Sequence, residues 1–374
     1  MSQPQTPQDR SRGWVVGHVA GAPVVLAPSS LLAAVVLTLM FAPSLSGLGS
    51  RSYVVAAAFV VLLFGSVLIH ELAHGLVARR RGQQPREFVL TLWGGHTSFD
   101  GPDPGPATTA LVAVVGPAAN LALAAVFLGL AAITPAGSLG EWLMYSGAVS
   151  NGFVGAFNLV PGLPLDGGRI LQAAVWAGTK DRHTGSVVAG WSGRVVAAGT
   201  LLLALGLPLA SGGTPSLFTV AWAALIAAFL WSGASQSIAA GNRGRQVDSL
   251  TVAGIGRRAV GVPYDATVLE AGLRAQAAGA VDVVLLSPEG RPAAFVDTAA
   301  AASVPADAVA TTPVQAVSVP LPFGAVIDAH ARGHALLQAV AAAAGGAGAG
   351  SAVVALEDGM VVALVRVGDV LAAV

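Results

Sequence analysis

Residues 53–81 read YVVAAAFVVLLFGSVLIHELAHGLVARRR, and this stretch decides what kind of molecule the chain folds into. Its first 17 residues carry no charge, and the run closes on Arg79, Arg80 and Arg81. An apolar helix of about 20 residues spans the roughly 30 Å hydrocarbon layer of a bilayer. Near its basic end stands HELAH, His70 to His74. On a helix His70 and His74 lie one turn apart on the same face with Glu71 beside them. That is the H-E-x-x-H arrangement, in which two imidazoles hold Zn²⁺ and the carboxylate takes a proton from an activated water. An ionisable residue inside a membrane-length helix marks a functional site by default. Here three fall within five residues.

Composition agrees with a membrane protein. Of 374 residues, 54% are hydrophobic and only 10% charged, against about 25% charged in an ordinary soluble domain. The formal net charge is zero and no strongly basic block occurs, so nucleic acid is not an expected partner. There is no cysteine, which excludes disulfides and any thiolate-held zinc or iron–sulfur site. A metal must then be held by His, Asp or Glu.

Working outward, apolar runs near Val24–Phe41, Tyr53–Val77, Thr108–Ile133, Trp142–Val160, Val187–Leu209 and Leu217–Ile238 predict six spans, a polytopic α-helical core over residues 23–240. Arginines and lysines cluster before the first span and after the second, fourth and sixth. By the positive-inside rule both ends of the core then face the cytoplasm, in a multi-pass protein of the cell membrane. His74 lies five residues, about 7.5 Å, before the basic end of its span, so a metal there sits toward the cytoplasmic side. Residues 1–22, rich in Gln and Pro at the start and without signal-peptide features, are expected to be a disordered cytoplasmic tail. Between the second and third spans, FVLTLWGGHTSF (Phe88–Phe99) is β-prone, with Gly94-Gly95 as the expected turn of a hairpin or re-entrant segment.

Past a short polar linker, 241–249, the apolar runs shrink to strand length and a soluble α/β domain is expected over 250–374. Its halves look alike. Val260–Asp297 offers a strand, a helix at Val268–Ala278 and a strand pair around Pro-Glu-Gly; the second half offers a helix at Phe323–Ala344 and a strand pair around Glu-Asp-Gly. Such an internal repeat predicts a pseudo-symmetric pair. Ala341–Gly350 is low-complexity and expected as a loop.

Catalytic zinc commonly takes three protein ligands and leaves a position for water. Among the acids of the membrane part, Glu141 lies on the far side, and Glu87, Asp100, Asp103 and Asp181 sit in polar connections. Asp166 alone is flanked by apolar sequence on the correct side, in NLVPGLPLDGGRI (Asn158–Ile170). Two prolines there break the fourth span, and two glycines are expected to let this backbone approach the histidine helix.

HELAH in one span and Leu165-Asp166-Gly167-Gly168 after a later one resemble the two signatures of the site-2 protease family of intramembrane zinc metalloproteases. The six-span core followed by a tandem module similar to paired CBS (cystathionine β-synthase) domains resembles one subgroup of it, and the resemblance covers nearly the whole chain. It implies that His70, His74 and Asp166 bind one zinc per chain and that Glu71 is the general base. Gly116-Pro117-Ala118-Ala119-Asn120 is similar to a further family element, as is Asn158 before Pro161; both suggest polar groups near the site, and Asn120 serves equally as a helix-to-helix hydrogen bond. His96 lies where the family has an apolar or small residue; a fourth ligand there closes the site, so a supporting or substrate-facing role is preferred. His18, His183, His330 and His334 receive no role. Paired CBS domains often bind adenine nucleotides through a hydroxyl residue three positions before an Asp. Here Arg366-Val367-Gly368-Asp369 keeps the Asp and lacks the hydroxyl, which leaves a ligand-free regulatory or homodimerising module at least as well supported.

The expected activity is hydrolysis of a peptide bond in or near a transmembrane segment of a membrane-protein substrate, as in regulated intramembrane proteolysis. The alternative is a CBS-gated membrane metal transporter or sensor that uses the same His/Asp site.

Overall fold

The computed structural model describes residues 13–91, 94–100, 104–344 and 352–373. Its contacts divide the chain into two units, Met1–Gly241 and Asn242–Val374.

The first unit opens with strands β1 (Trp14–Val19) and β2 (Ala22–Leu26), antiparallel across Ala20 and Gly21, which both take positive φ. Residues 14–19 are therefore not a disordered tail, because their Val-rich sequence finds a partner in β2; residues 1–12 lie outside the described residues. Helix α1 (Pro28–Phe41) starts on a proline, whose fixed φ and missing N–H suit the first helical turn. The run expected as a first span is thus divided between a strand and a 14-residue helix, about 21 Å long. A 3₁₀ segment, Ala42–Arg51, leads to α2 (Ser52–Arg80), which carries HELAH.

Strands β3 (Gln84–Thr91) and β4 (Gly94–Asp100) form the expected hairpin, and β2 joins β3 in parallel to give a sheet of order β1-β2-β3-β4. Gly94 and Gly95 pair with Thr91 and Leu90 inside the ladder and so are not the turn; residues 92–93 lie outside the described residues. The sheet packs on α2 where Gly75 faces Phe88, so closely that a Cβ on Gly75 would lie 2.3 Å from the phenyl ring.

Then follow α3 (Pro106–Ile133), α4 (Leu139–Asn158), α5 (Asp166–Thr179), α6 (Arg182–Ala210) and α7 (Leu217–Ser249). Four helices among the described residues, α2, α3, α6 and α7, are long and apolar enough to cross a membrane. Of the other expected spans, α1 is short, and α4 has 20 residues but carries Glu141, Asn151 and Asn158. Residues 241–249, expected as a linker, continue α7: without a proline, their polarity does not end the helix.

The second unit contains a short α8 (Val252–Ile255), then β5 (Arg257–Pro263), α9 (Val268–Ala278), β6 (Asp282–Leu286), β7 (Pro292–Val296), α10 (Thr298–Ala302) and β8 (Ser318–Pro320). After these come β9 (Val326–Asp328), α11 (Gly333–Ala344), β10 (Ala352–Glu357), β11 (Met360–Arg366) and α12 (Val367–Ala373). The strands make one sheet of order β8-β7-β6-β5-β11-β10-β9. The internal repeat is visible in its pairing: β5 and β6 are parallel around α9 as β9 and β10 are around α11, and each second strand turns back antiparallel into β7 or β11. The helix expected from Phe323 begins only at Gly333, since residues 326–328 are drawn into β9 by pairing with β10. Helix α9 starts on a reciprocal Thr267/Glu270 capping box and stops at left-handed Gly279, the local signals that made its bounds readable. Where the halves meet, buried Asp282 pairs with Arg366 at 2.6 Å.

Candidate metal centre

Helical periodicity turns His70, Glu71 and His74 to the buried face of α2, with each 7–8% exposed. The third member arrives from a distant part of the chain. After α4 ends at Asn158, a loop containing Pro161 and Pro164 places Asp166 on the first turn of α5. Its Oδ2 lies 3.0 Å from His70 Nε2 and 3.2 Å from His74 Nε2, and the two Nε2 atoms are 3.1 Å apart. These three are the group of His, Asp and Glu side chains found able to hold a metal ion among the described residues.

Proton accounting shows that this cluster suits a cation. His74 Nδ1 lies 2.6 Å from the carbonyl oxygen of Val112, which can only accept, so Nδ1 carries a hydrogen and the neutral ring's Nε2 is bare. For His70 the argument runs through three residues. Asn151 Nδ2 donates to the Gly147 carbonyl at 2.9 Å, so the Asn151 oxygen is free to accept from Asn120 Nδ2 at 2.9 Å. The Asn120 oxygen then faces His70 Nδ1 at 2.5 Å and must accept from it. When both rings are neutral, the two Nε2 lone pairs therefore converge with a carboxylate oxygen, and Asp166 Oδ2 has no hydrogen-bond donor of its own. Two neutral imidazoles and one carboxylate are a borderline-soft N/N/O set that fits zinc.

Packing around the cluster relies on absent side chains. On α3, a Cβ at Gly116 would stand 2.3 Å from His74 Nε2 and 2.8 Å from His70 Cε1. On β4, a Cβ at Gly95 would stand 2.3 Å from Glu71 Cγ. Gly116→Ala ought to strengthen α3 as an isolated helix, since alanine is the better helix former. It is nevertheless expected to lower zinc affinity about 10–100-fold, the range seen when a ligand's support is disturbed; metal analysis after dialysis against a graded chelator checks this. Gly167 and Gly168 do not approach the histidine helix as expected. They meet their own preceding loop, against Leu159 and Val160 oxygens and the Gly162–Leu163 peptide.

Glu71 stands outside the ligand trio. Its Oε2 accepts from Thr97 Oγ1 on β4 at 2.8 Å, and it lines a cavity of about 540 Å³ shared with the trio, His96, Thr97, Asn158 and Arg169. His96, opposite Val89 in the hairpin, lines that cavity without joining the ligand cluster. Asn158 also lines it, its amide donating to Val154 O. Asn120 bonds both Asn151 of a neighbouring helix and His70. Sequence reasoning missed Asn151, Thr97 and the Val112 carbonyl. Asn151, an amide in an otherwise apolar helix segment, was the one available signal.

The sequence comparisons agree with the site. Residues 58–143 and 136–203 match the family model described as Peptidase family M50. The chain is 39% identical over 193 residues to the putative zinc metalloprotease Rip3 of Mycobacterium tuberculosis, across 49% of this chain and 47% of that protein. It thus spans about half of Rip3's length. It is 33% identical over 132 residues to the putative zinc metalloprotease MJ0611 of Methanocaldococcus jannaschii, across 29% of this chain and 68% of that one. The solved site-2 protease from Methanocaldococcus jannaschii is 26% identical, with 60% of this chain and 94% of that chain covered at a TM-score of 0.44.

Proposed function

Because this chain belongs to peptidase family M50, we propose that it is an intramembrane zinc metalloprotease that cuts a peptide bond in or near a transmembrane segment of another membrane protein. The observation that carries this reading is the convergence of two imidazole Nε2 atoms and a carboxylate oxygen beside a buried glutamate that is not one of them. His70, His74 and Asp166 would hold the zinc, which when bound would supply Lewis acidity for hydrolysis. Glu71, within the same cavity, takes the proton from the attacking water and hands it to the leaving nitrogen. Asn120 and Val112 O hold the two imidazoles in the tautomer that directs Nε2 inward. A helical substrate hides its peptide bonds in its own hydrogen bonds, so it must unwind locally. Strand β4 is at the sheet's edge, next to Glu71, and offers an extended segment a place to pair. The transporter reading needs no proton-transfer carboxylate, whereas the hydrolytic one gives Glu71 a role. The experiment that tests the proposal compares membrane-protein fragments in cells carrying wild type or Glu71→Gln; identical fragment sets would overturn it.

Thr97 is the hydroxyl that orients that carboxylate. Thr97→Val is expected to lower kcat about tenfold, as for loss of a hydrogen bond to a charged group, with KM little changed. Thr97→Ser should restore the rate; a serine variant as slow as the valine one would show the role to be packing.

The basic residues support a multi-pass arrangement with the tail and second unit in the cytoplasm. Reporter fusions after Arg81 and after Arg245 are expected to report the cytoplasm, and one at Ser138 the opposite side; a cytoplasmic signal at Ser138 would reverse it. The repeated β-α-β-β-α halves of the second unit support a tandem CBS-like regulatory module, with homodimerisation or adenine-nucleotide binding as its uses. Asp369 on the first turn of α12 lacks a hydroxyl three residues earlier, which weighs against the nucleotide.

A further inference from the structure

One charge in the membrane unit has no part in the site described above. Arg194 lies in α6, and from Val195 to Ala210 that helix carries no ionisable residue. The guanidinium sits over two indoles, Trp191 of its own helix at 4.7 Å and Trp231 of α7 at 5.0 Å from the ring centroids. Its Nη2 and Nε donate to Ser235 Oγ at 3.1 and 3.4 Å, and that hydroxyl donates onward to Trp231 O. No carboxylate pairs with Arg194 among the described residues, so Nη1 keeps both N–H groups without an acceptor there. Trp191 and Trp231 are 55% and 48% exposed, on the outside of the helix pair.

The depth of this cluster follows from α6 itself. Sixteen residues separate Arg194 from the far end at Ala210, about 24 Å of helix. With Ala210 at one boundary of a roughly 30 Å apolar layer, Arg194 lies about 6 Å inside the other, within reach of its own flexible stem. The polar start of α6, with Arg182, His183 and Thr184, projects beyond that boundary. Tryptophan is enriched at this level, where headgroups meet hydrocarbon. A guanidinium there with unfilled donors calls for an anion, and its planar fork matches two phosphate oxygens.

We propose that Arg194, Trp191, Trp231 and Ser235 form a binding site for the phosphate of an anionic phospholipid headgroup. The site adjoins the loop that positions Asp166. The residue before Arg194, Gly193, meets the Leu163 carbonyl so closely that a Cβ would stand 2.0 Å from it, and Ser192 Oγ donates to Pro161 O. Lipid bound at Arg194 therefore braces the turn of α6 on which the Pro161–Leu165 loop rests. This inference depends on α6 and α7 being membrane helices and not on proteolysis.

The test titrates the detergent-purified full chain with phosphatidylglycerol or phosphatidylcholine and counts retained lipids by native mass spectrometry. Wild type is expected to hold one phosphatidylglycerol in preference to phosphatidylcholine. Arg194→Gln should weaken that lipid about fivefold, the effect of one basic residue near an anionic surface, and leave phosphatidylcholine unchanged; Arg194→Lys, which keeps the charge and loses the planar fork, should fall between wild type and Arg194→Gln. Inorganic phosphate at the same concentration should not displace the lipid. Equal retention of the two lipids by wild type, or an unchanged preference in Arg194→Gln, would overturn the site. Displacement by inorganic phosphate would make it a soluble-anion site and overturn the lipid assignment. Should Arg194→Gln aggregate, Ser235→Ala combined with Trp231→Leu weakens the same cluster with the arginine in place, and must show the same loss. Zinc content, measured on each sample, reports separately on the metal centre.

Discussion

Purified Glu71→Gln should contain as much zinc as wild type and cleave a reconstituted membrane substrate about 10²–10⁴ times more slowly, the usual contribution of a positioned general base. Glutamine has glutamate's shape, so it fits against Gly95, and its amide oxygen can still accept from Thr97 Oγ1. No ligand atom is removed, because the convergent donors belong to His70, His74 and Asp166. What disappears is the ability to take a proton at a carboxylate oxygen. Zinc content by elemental analysis and initial rates in proteoliposomes decide the matter together. Near-normal cleavage would move the base elsewhere, with His96 the next group in the cavity. Lost zinc would make Glu71 a ligand and undo the separation of roles. The same variant separates hydrolysis from metal transit, since uptake of zinc by vesicles does not need a proton-accepting carboxylate beside the site.

Asp166→Ala is expected to reduce zinc affinity by more than the about 10–100-fold that loss of an outer support typically costs. The aspartate is the trio's only anionic donor, and without it two neutral imidazoles must share a buried divalent charge. His70→Ala should behave alike, leaving one imidazole with the carboxylate. Asn151→Ala makes the graded comparison: it removes no ligand and leaves the Asn120 amide free to turn, so His70's tautomer is no longer enforced. Its loss should stay within the outer-support range. Competition with a calibrated chelator gives all three affinities. Full occupancy in Asp166→Ala and His70→Ala would dismiss the assignment, and equal losses in Asn151→Ala and Asp166→Ala would mean that both act through folding.

The membrane helices and the α9 region of the second unit were readable because their signals are local: long apolar runs, a capping box, a closing glycine. The first span was misjudged for a non-local reason. Val24 and Val25 are as apolar as any helix residue, and what makes them a strand is pairing with β1 on one side and, on the other, with β3, some sixty residues later. The glycines were misassigned for a related reason. Gly94-Gly95 has the composition of a hairpin turn, yet it is the missing side chain of Gly95 that serves the approach of Glu71.

By itself the sequence pointed to the chemistry of the site: two imidazoles and a glutamate at helical spacing, no cysteine to compete, and one further acid, Asp166, flanked by apolar sequence. Those facts follow from residue type and a 3.6-residue period, which act over a single turn. Only the tertiary structure decided how the site is held. The path from the Gly147 carbonyl through Asn151 and Asn120 to His70, the Val112 carbonyl beneath His74, the hydroxyl of Thr97 on Glu71 and the bare face of Gly116 all join elements far apart in the chain. A hydrogen-bond partner or a vacant Cβ position has no spacing to read, because it is defined by what the packed neighbour brings.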